Sequence, residues 1–480
     1  MRENLTETEA AVLMDEDVKR PSFGTALATF LSIVVILILG IFKFKVDMHV
    51  LLVLGMVVTS VVAKIVGFKW KEIEAAMGKG VFRAMIGMFI FILIGMIIGS
   101  WIESGTVPAL IYYGMDLLSP KWFLPAGLLI CSIASLSTGT SWGTAGTVGL
   151  ALMGIGVGMG IPAPIVAGMV ISGAFFGDKM SPVSDTTNLA AISAEAGLYE
   201  NIGAMMYTTI PSFIIALIMY TFLGFKYAEG TLDTVQIAII QETIAGEFNI
   251  SVWVLLPMIV LLTLSVLRVP AIPSMIAGVF TASVISLIFQ GSSITEVLNA
   301  MNYGYTSDTG VLAVDTLITR GGIQSMMWTF SLAFIALALG GILDELRFLE
   351  VLVKKILSRI KRAATLITVT IISGFGANAA MGEAYLSIIL NGRLYLNAFE
   401  EKGMQHRMLS RCLGEGAALT TGIIPWTTAG AFMAGALGVP TLQYAPYAFL
   451  NWINPILSII LSYLGIFILW TKVTKNGQRK

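Results

Sequence analysis

The sequence predicts an all-α polytopic membrane protein, two inverted repeats with discontinuous helices and re-entrant hairpins. Three observations predict it. Of 480 residues, 56% are hydrophobic and 12% charged, where soluble domains carry about 25% charge. Apolar runs long enough to cross about 30 Å of hydrocarbon recur along the chain. The second half also repeats the first at a near-constant offset.

The composition excludes several classes at once. A chain of mean hydropathy +0.86 cannot cover a water-facing surface with polar groups. Net charge is zero, so there is no nucleic-acid footprint. Cys131 and Cys412 sit in apolar stretches without metal-ligand spacing and read as buried free thiols. With only His49 and His406, most histidine-based catalysis is ruled out. Gly139-Thr140-Ser141-Trp142-Gly143 fits a serine-nucleophile pattern, but that motif needs a strand–turn–helix setting and a base. No enzyme is expected.

Clear apolar spans lie near 25–42, 47–66, 84–102, 204–225, 253–268, 270–290, 325–343 and 447–470. With the broken regions 122–200 and 364–440, roughly 10–13 segments are expected. Basic residues cluster after the second span (Lys64, Lys69, Lys71, Lys79, Arg83), after the 325–343 span (Arg347 to Arg362) and at the C-terminus. Positive loops face the cytoplasm. The 227–250 loop carries Glu229, Asp233, Glu242 and Glu247 without that basic excess and reads as extracytoplasmic. The expected organisation is a cytoplasmic tail (1–21), a first repeat (22–226), an extracytoplasmic linker (227–250), a second repeat (251–471) and a cytoplasmic tail (472–480). The polar, acidic start is unlike a secretory signal. The setting is a cell (inner) membrane, multi-pass, with both termini inside.

An inside start and an outside middle require an odd number of crossings in the first half, which is the signature of an inverted repeat. Shifted by 241 residues, Gly80–Met85 falls on Gly321–Met326, Gly99 on Gly340, Glu103 on Asp344 and Gly173 on Gly414. An insertion near 305–321 changes the offset in the earlier part. Glu103 and Asp344 then occupy equivalent helix ends, facing the head groups.

Two stretches in each half look broken. Non-helical backbone survives in a membrane only where protein or a watery cavity surrounds it. Ser137–Thr144 pairs with Gly374–Glu383, and Gly177–Asn188 with Gly414–Thr428. Asp185 stands among Ser184, Thr186, Thr187 and Asn188, a compact set of oxygen ligands. A hard cation such as Na⁺ wants such oxygens, and the same carboxylate can take a proton instead. A site that holds one or the other suffices for exchange, and Na⁺ is expected at Asp185, Thr186 and Asn188. Asp185 also suits a helix start after Pro182. Asp178 beside Lys179 reads as a buried ion pair fixing the loop, or as part of the ion site. Thr140, Ser141 and Thr427 supply further hydroxyls at the breaks. Glu383 and Glu415 are intramembrane acids, functional candidates by default. Asn378 reads as ligand or as interhelical glue. His406, with Arg407 and Arg411, reads as a solvated loop residue or a pH sensor.

At Thr138–Gly149 (TGTSWGTAGTVG), Ser172–Ala190 (SGAFFGDKMSPVSDTTNLA) and Met206–Pro211, the chain resembles the NhaC family of sodium/proton antiporters, within the ion-transporter superfamily. The resemblance implies exchange of Na⁺ for H⁺, paired re-entrant hairpins, and core roles for Asp178, Ser184, Asp185, Thr186, Thr187 and Asn188. That family also includes sodium-linked malate/lactate exchangers and some amino-acid carriers, so a carboxylate antiporter is the alternative. The chain departs from the family pattern at Gly382-Glu383-Ala384, where Gly-Asp-Gln is common, and at Pro425-Trp426-Thr427, where Pro-Trp-Asn is common. No cofactor is expected, Na⁺ and H⁺ being transported or coupling ions. The partners expected are the lipid bilayer, small ions and small carboxylates, with a homodimer left open.

Overall fold

The computed structural model of the chain describes residues 19–228 and 234–471. The acidic part of the N-terminal tail, Glu229 and Asp233 of the linker, and the 472–480 tail lie outside the described residues. Among the described residues the secondary structure is helical, apart from two isolated bridges. Eight helices are long and apolar enough to cross a membrane, and two bent pairs raise the number to ten. The chain is a multi-pass membrane protein. The 227–250 segment is more than a linker: it contains the helix Thr234–Glu247. Ile237–Glu247 and Val252–Val266 are bent by 93° at their junction, and the two together are apolar enough for a broken span or a re-entrant loop.

The chain divides into two units. The first comprises residues 1–84 and 334–360. Its helices α1 (Phe23–Ile38), α2 (Met48–Val66) and α3 (Trp70–Arg83) each start on an extended residue, Ser22, Asp47 and Lys69. Helix α3 is amphipathic: Ile73, Ala76 and Gly80 are buried, while Lys71, Glu72 and Lys79 are exposed. A side chain on Gly80 would lie 2.2 Å from the Leu337 carbonyl, so the two backbones touch only because no Cβ intervenes. Lys79 pairs with Glu345 at 2.7 Å, and Arg83 with Asp344 at 2.7 Å and with Glu345. Asp344 is thus held by a cation.

The second unit comprises residues 85–333 and 361–480. Helix α4 (Pro120–Thr138) ends at Gly139, whose φ of 72° is left-handed, and the chain restarts as α5 (Ser141–Thr144), which runs on through a π-turn to Gly158. Helix α6 (Ala163–Met180) breaks at 181–184 and restarts as α7 (Asp185–Ser193). The second half repeats the device. Helix α8 (Ala363–Met381) ends at Gly382 with φ 70°, and α9 (Ala384–Glu401) follows. Helix α10 (His406–Leu413) passes through π- and 3₁₀-turns to a break and restarts as α11 (Thr428–Leu437).

Both halves hold the same packing. Gly173 lies against Leu128 and Cys131, and Gly177 against Ser132 and Leu136, so α4 and α6 run side by side in the same direction. Ser135 Oγ donates to the Ala174 carbonyl at 2.5 Å. In the second half Gly374 lies against Gly416, and Asn378 Nδ2 donates to the Ala417 carbonyl at 2.6 Å. Gly139 to Gly382, Ser184 to Thr427, and Ser135 to Asn378 are each 243 positions apart. These spacings are two residues longer than the 241 of the sequence match.

The restarting helices pack crosswise between the halves. Helix α5 meets α11, with Trp142 stacked on Phe432 at 4.4 Å, and α7 meets α9, with Gly392 against the Ser193 carbonyl.

Candidate ion site at the helix breaks

The first break gathers around Asp178. It lies near the end of α6 and is 9% exposed. Its Oδ2 accepts from Ser141 Oγ at 2.7 Å and from the Ser141 amide at 3.3 Å, and its Oδ1 accepts from Ser184 Oγ. Ser141 opens α5 and Ser184 is the N-cap of α7. One carboxylate therefore ties together the end of one helix and the starts of two others. Ser184 Oγ also meets Thr186 Oγ1 at 3.0 Å and accepts from the Thr187 amide at 3.3 Å.

The remaining polar groups of this motif serve the broken backbone. Thr187 Oγ1 donates to the carbonyls of Lys179 (3.0 Å) and Asp178 (3.2 Å). Asn188 Nδ2 donates to the Ser184 carbonyl at 2.8 Å and the Pro182 carbonyl at 3.0 Å. Both carbonyl pairs lie where the helix ladder is interrupted, and buried carbonyls need such partners. Thr140 caps α5, accepting from the Gly143 amide at 3.2 Å.

Asp185 is placed differently from Asp178. It is the first residue of α7 and exposed, and its carboxylate makes no hydrogen bond among the described residues. An acid in a helix's first turn is stabilised by the amide dipoles. The oxygen cluster read around Asp185 in the sequence is centred on Asp178. Asp185 lies within electrostatic reach of Asp178, and the Tyr385 phenol lies within reach of Asp178, Asp185 and Glu383 alike.

Glu383 is the carboxylate of the second break. It caps α9, with Oε1 accepting from the Tyr385 amide at 3.3 Å and Oε2 from Thr428 Oγ1 at 2.5 Å. The Thr428 amide donates to the Gly382 carbonyl at 2.8 Å. Thr427 Oγ1 donates to Thr421 and Ile424 carbonyls at 2.6 and 2.9 Å and accepts from the Gly430 amide. Asn378 Oδ1 is buried without a partner among the described residues.

Glu415 belongs to another group. Its Oε1 accepts from Thr208 Oγ1 at 2.5 Å and lies 3.6 Å from Arg411 Nε, and both charged side chains are fully buried. Arg411 is therefore not part of the solvated loop read from the sequence. Lys179 donates to Asn454 Oδ1 at 2.7 Å, not to Asp178, because neighbouring residues on a helix point about 100° apart. The Asp178–Lys179 ion pair is thus absent. Lys179 instead faces Glu415 and Arg411. His406, half-buried, sets Nδ1 against the Glu195 carbonyl at 3.1 Å and Nε2 against Glu400 at 2.8 Å. Burial lowers the imidazole's pKa, the carbonyl and carboxylate outweigh it, and the net shift is upward.

Tyr385 and Asn454 carry no local motif, Thr208 lies in the Met206–Pro211 stretch without being marked out by it, and tertiary packing brings all three in. Arg411 and Glu415 did carry a signal, an i,i+4 charge pair on an apolar helix.

Residues 173–466 match the model of the Na⁺/H⁺ antiporter family. The chain is 36% identical to the Na⁺/H⁺ antiporter NhaC of Alkalihalophilus pseudofirmus, over 93% of this chain and 97% of that protein. It is 34% identical to the malate-2H⁺/Na⁺-lactate antiporter of Bacillus subtilis, over 91% and 96%. It is 35% identical to the arginine/ornithine antiporter ArcD of Halobacterium salinarum, over 96% and 95%.

Proposed function

From the premise that the chain belongs to the Na⁺/H⁺ antiporter family, we propose that it exchanges Na⁺ for H⁺ across the cell membrane by alternating access, with a shared carboxylate site. The observation that carries this is Asp178, a buried carboxylate already surrounded by hydroxyl oxygens of Ser141 and Ser184, with Thr186 beside them. Those hydroxyls donate when the site holds no cation. They turn their lone pairs inward when Na⁺ takes the donors' place. A proton on the carboxylate occupies the same position, so Na⁺ and H⁺ exclude each other. Asp185 is the exposed acid at the approach, and Glu383 with Thr428 is the corresponding acid of the other repeat.

The two sets of broken helices are read as inverted repeats. With the basic loops read as cytoplasmic, both termini would lie on that side.

The test is a proteoliposome assay with a trapped pH dye, adding Na⁺, Li⁺ and K⁺ in turn. Na⁺ should drive proton movement in the wild type, and Asp178→Asn and Asp185→Asn should abolish it. Exchange at the wild-type rate in Asp178→Asn would remove the shared site.

One observation favours a second reading, exchange of carboxylates such as malate and lactate coupled to Na⁺ or H⁺. Lys179 and Arg411 are buried against the single acid Glu415, leaving a positive excess that suits an anion. Counterflow of labelled malate separates the two readings.

A further inference from the structure

The first unit holds a groove of about 210 Å³ along α2 and α3. Met56, Val57, Val61 and Met77 form its apolar walls, and Lys64 and Trp70 stand at its rim. Two polar groups in it are unspent. Ser60 Oγ is buried and has no hydrogen-bond partner among the described residues. Its neighbour Thr59 donates to the carbonyl one turn back, at 2.7 Å, as a helical hydroxyl in an apolar setting usually does. Lys64 is exposed and makes no hydrogen bond or ion pair among the described residues. The nearby acids are engaged: Glu72 with Lys19 and the Lys69 amide, and Glu74 with Trp70 Nε1 at 2.6 Å.

The order of these groups along α2 is informative. Ser60 and Lys64 are four residues apart and share one face of the helix. The ammonium's root is therefore about 6 Å nearer the helix end than the hydroxyl. Met56 and Val57 lie a further turn in. Read from the basic end inward, the groove offers a cation, then a hydroxyl donor, then apolar wall. A phospholipid presents the complementary series: phosphate, ester carbonyl, acyl chain. Lys69 and Lys71 make the same end more positive, and tryptophan at a rim suits the head-group level. A soluble anion would leave the walls uncovered, and a zwitterionic lipid would bring its own cation against Lys64, so the net negative charge of an acidic lipid is what matches the groove.

We propose that this groove is a binding site for one acidic phospholipid, with its phosphate on Lys64, an ester carbonyl accepting from Ser60, and an acyl chain along Met56, Val57, Val61 and Met77. The inference is independent of what the breaks transport.

The test uses the full-length protein, delipidated and exchanged into micelles carrying phosphatidylglycerol and phosphatidylcholine of matched chains, with bound lipid counted by native mass spectrometry. The wild type should retain phosphatidylglycerol in preference. Lys64→Gln should bind it about fivefold more weakly, the effect of one basic residue at an acidic membrane surface, and phosphatidylcholine, whose choline already offsets its phosphate, should lose clearly less. Lys64→Arg should retain it, which separates charge from fold. Ser60→Ala should weaken both lipids, since both carry the ester. Equal retention of the two lipids by the wild type overturns the site. So does an equal loss in Lys71→Gln, which would report surface charge alone.

Discussion

The two helix breaks share a backbone and differ in chemistry. Each has a left-handed glycine, Gly139 or Gly382, followed by a capped helix start. Each has a second restart capped by a hydroxyl, Ser184 or Thr427. Yet in the first half the cap hydroxyl donates to a carboxylate, Asp178. In the second, Thr421 stands at that position and the hydroxyl of Thr427 donates to its backbone carbonyl. The acid of the second half has moved to the cap, where Glu383 stands at the position of Thr140. The two halves thus share caps and not carboxylates: the backbone needs the caps in both, whereas under the proposed exchange the ion needs only one carboxylate amid hydroxyls.

The sharpest way to break that comparison is to neutralise the second acid. Glu383→Gln keeps the cap's acceptor oxygen but removes the charge. It should slow Na⁺-driven proton movement about tenfold, if removing a charge-assisted hydrogen bond costs roughly 1.5 kcal/mol, and less than Asp178→Asn does. Equal losses in the two variants would make the halves functionally alike. A smaller effect is expected where the scaffold is shared. Asn378→Ala leaves the Ala417 carbonyl without its side-chain donor and should lower stability in detergent by about 1 kcal/mol. Asn378→Ser, which copies Ser135, should recover part of it. No recovery would mean that the common offset is not a common structure.

The smallest effect concerns an edge where the halves differ. His406 joins the second half to Glu195 of the first, and the first half has Ala163 at the corresponding position. Because its pKa is raised by folding, its stabilisation is complete below the ordinary histidine value of about 6.5. It is lost as pH rises through the folded value. Melting curves of the wild type should therefore fall across that window relative to His406→Gln. Parallel curves would dismiss the clamp.

Much of this was legible in the sequence, for identifiable reasons. The spans follow from apolar runs, and the breaks follow from Gly, Pro, Ser and Thr where hydrocarbon demands helix. Asp178, Ser141, Ser184 and Glu383 were all legible as candidates. The sequence put the centre at Asp185 because Ser184 and Thr186 adjoin it, whereas the Ser141 and Ser184 hydroxyls donate to Asp178. A carboxylate seven residues earlier, before Pro182 and across the helix break, reaches the same hydroxyl through space. Arg411 looked like loop because three basic or titratable residues follow one another closely, while its burial depends on Glu415, Thr208 and the Phe467 carbonyl.

Ser184 has two employments. It starts the nine-residue helix α7 and it holds Asp178. A hydroxyl that turns its lone pairs to an arriving ion releases the carboxylate while still accepting from the Thr187 amide. Under the proposed exchange, the winding of α7 is thermodynamically linked to the occupant, and its first turn would serve as a gauge, readable by hydrogen exchange, of which ion is bound.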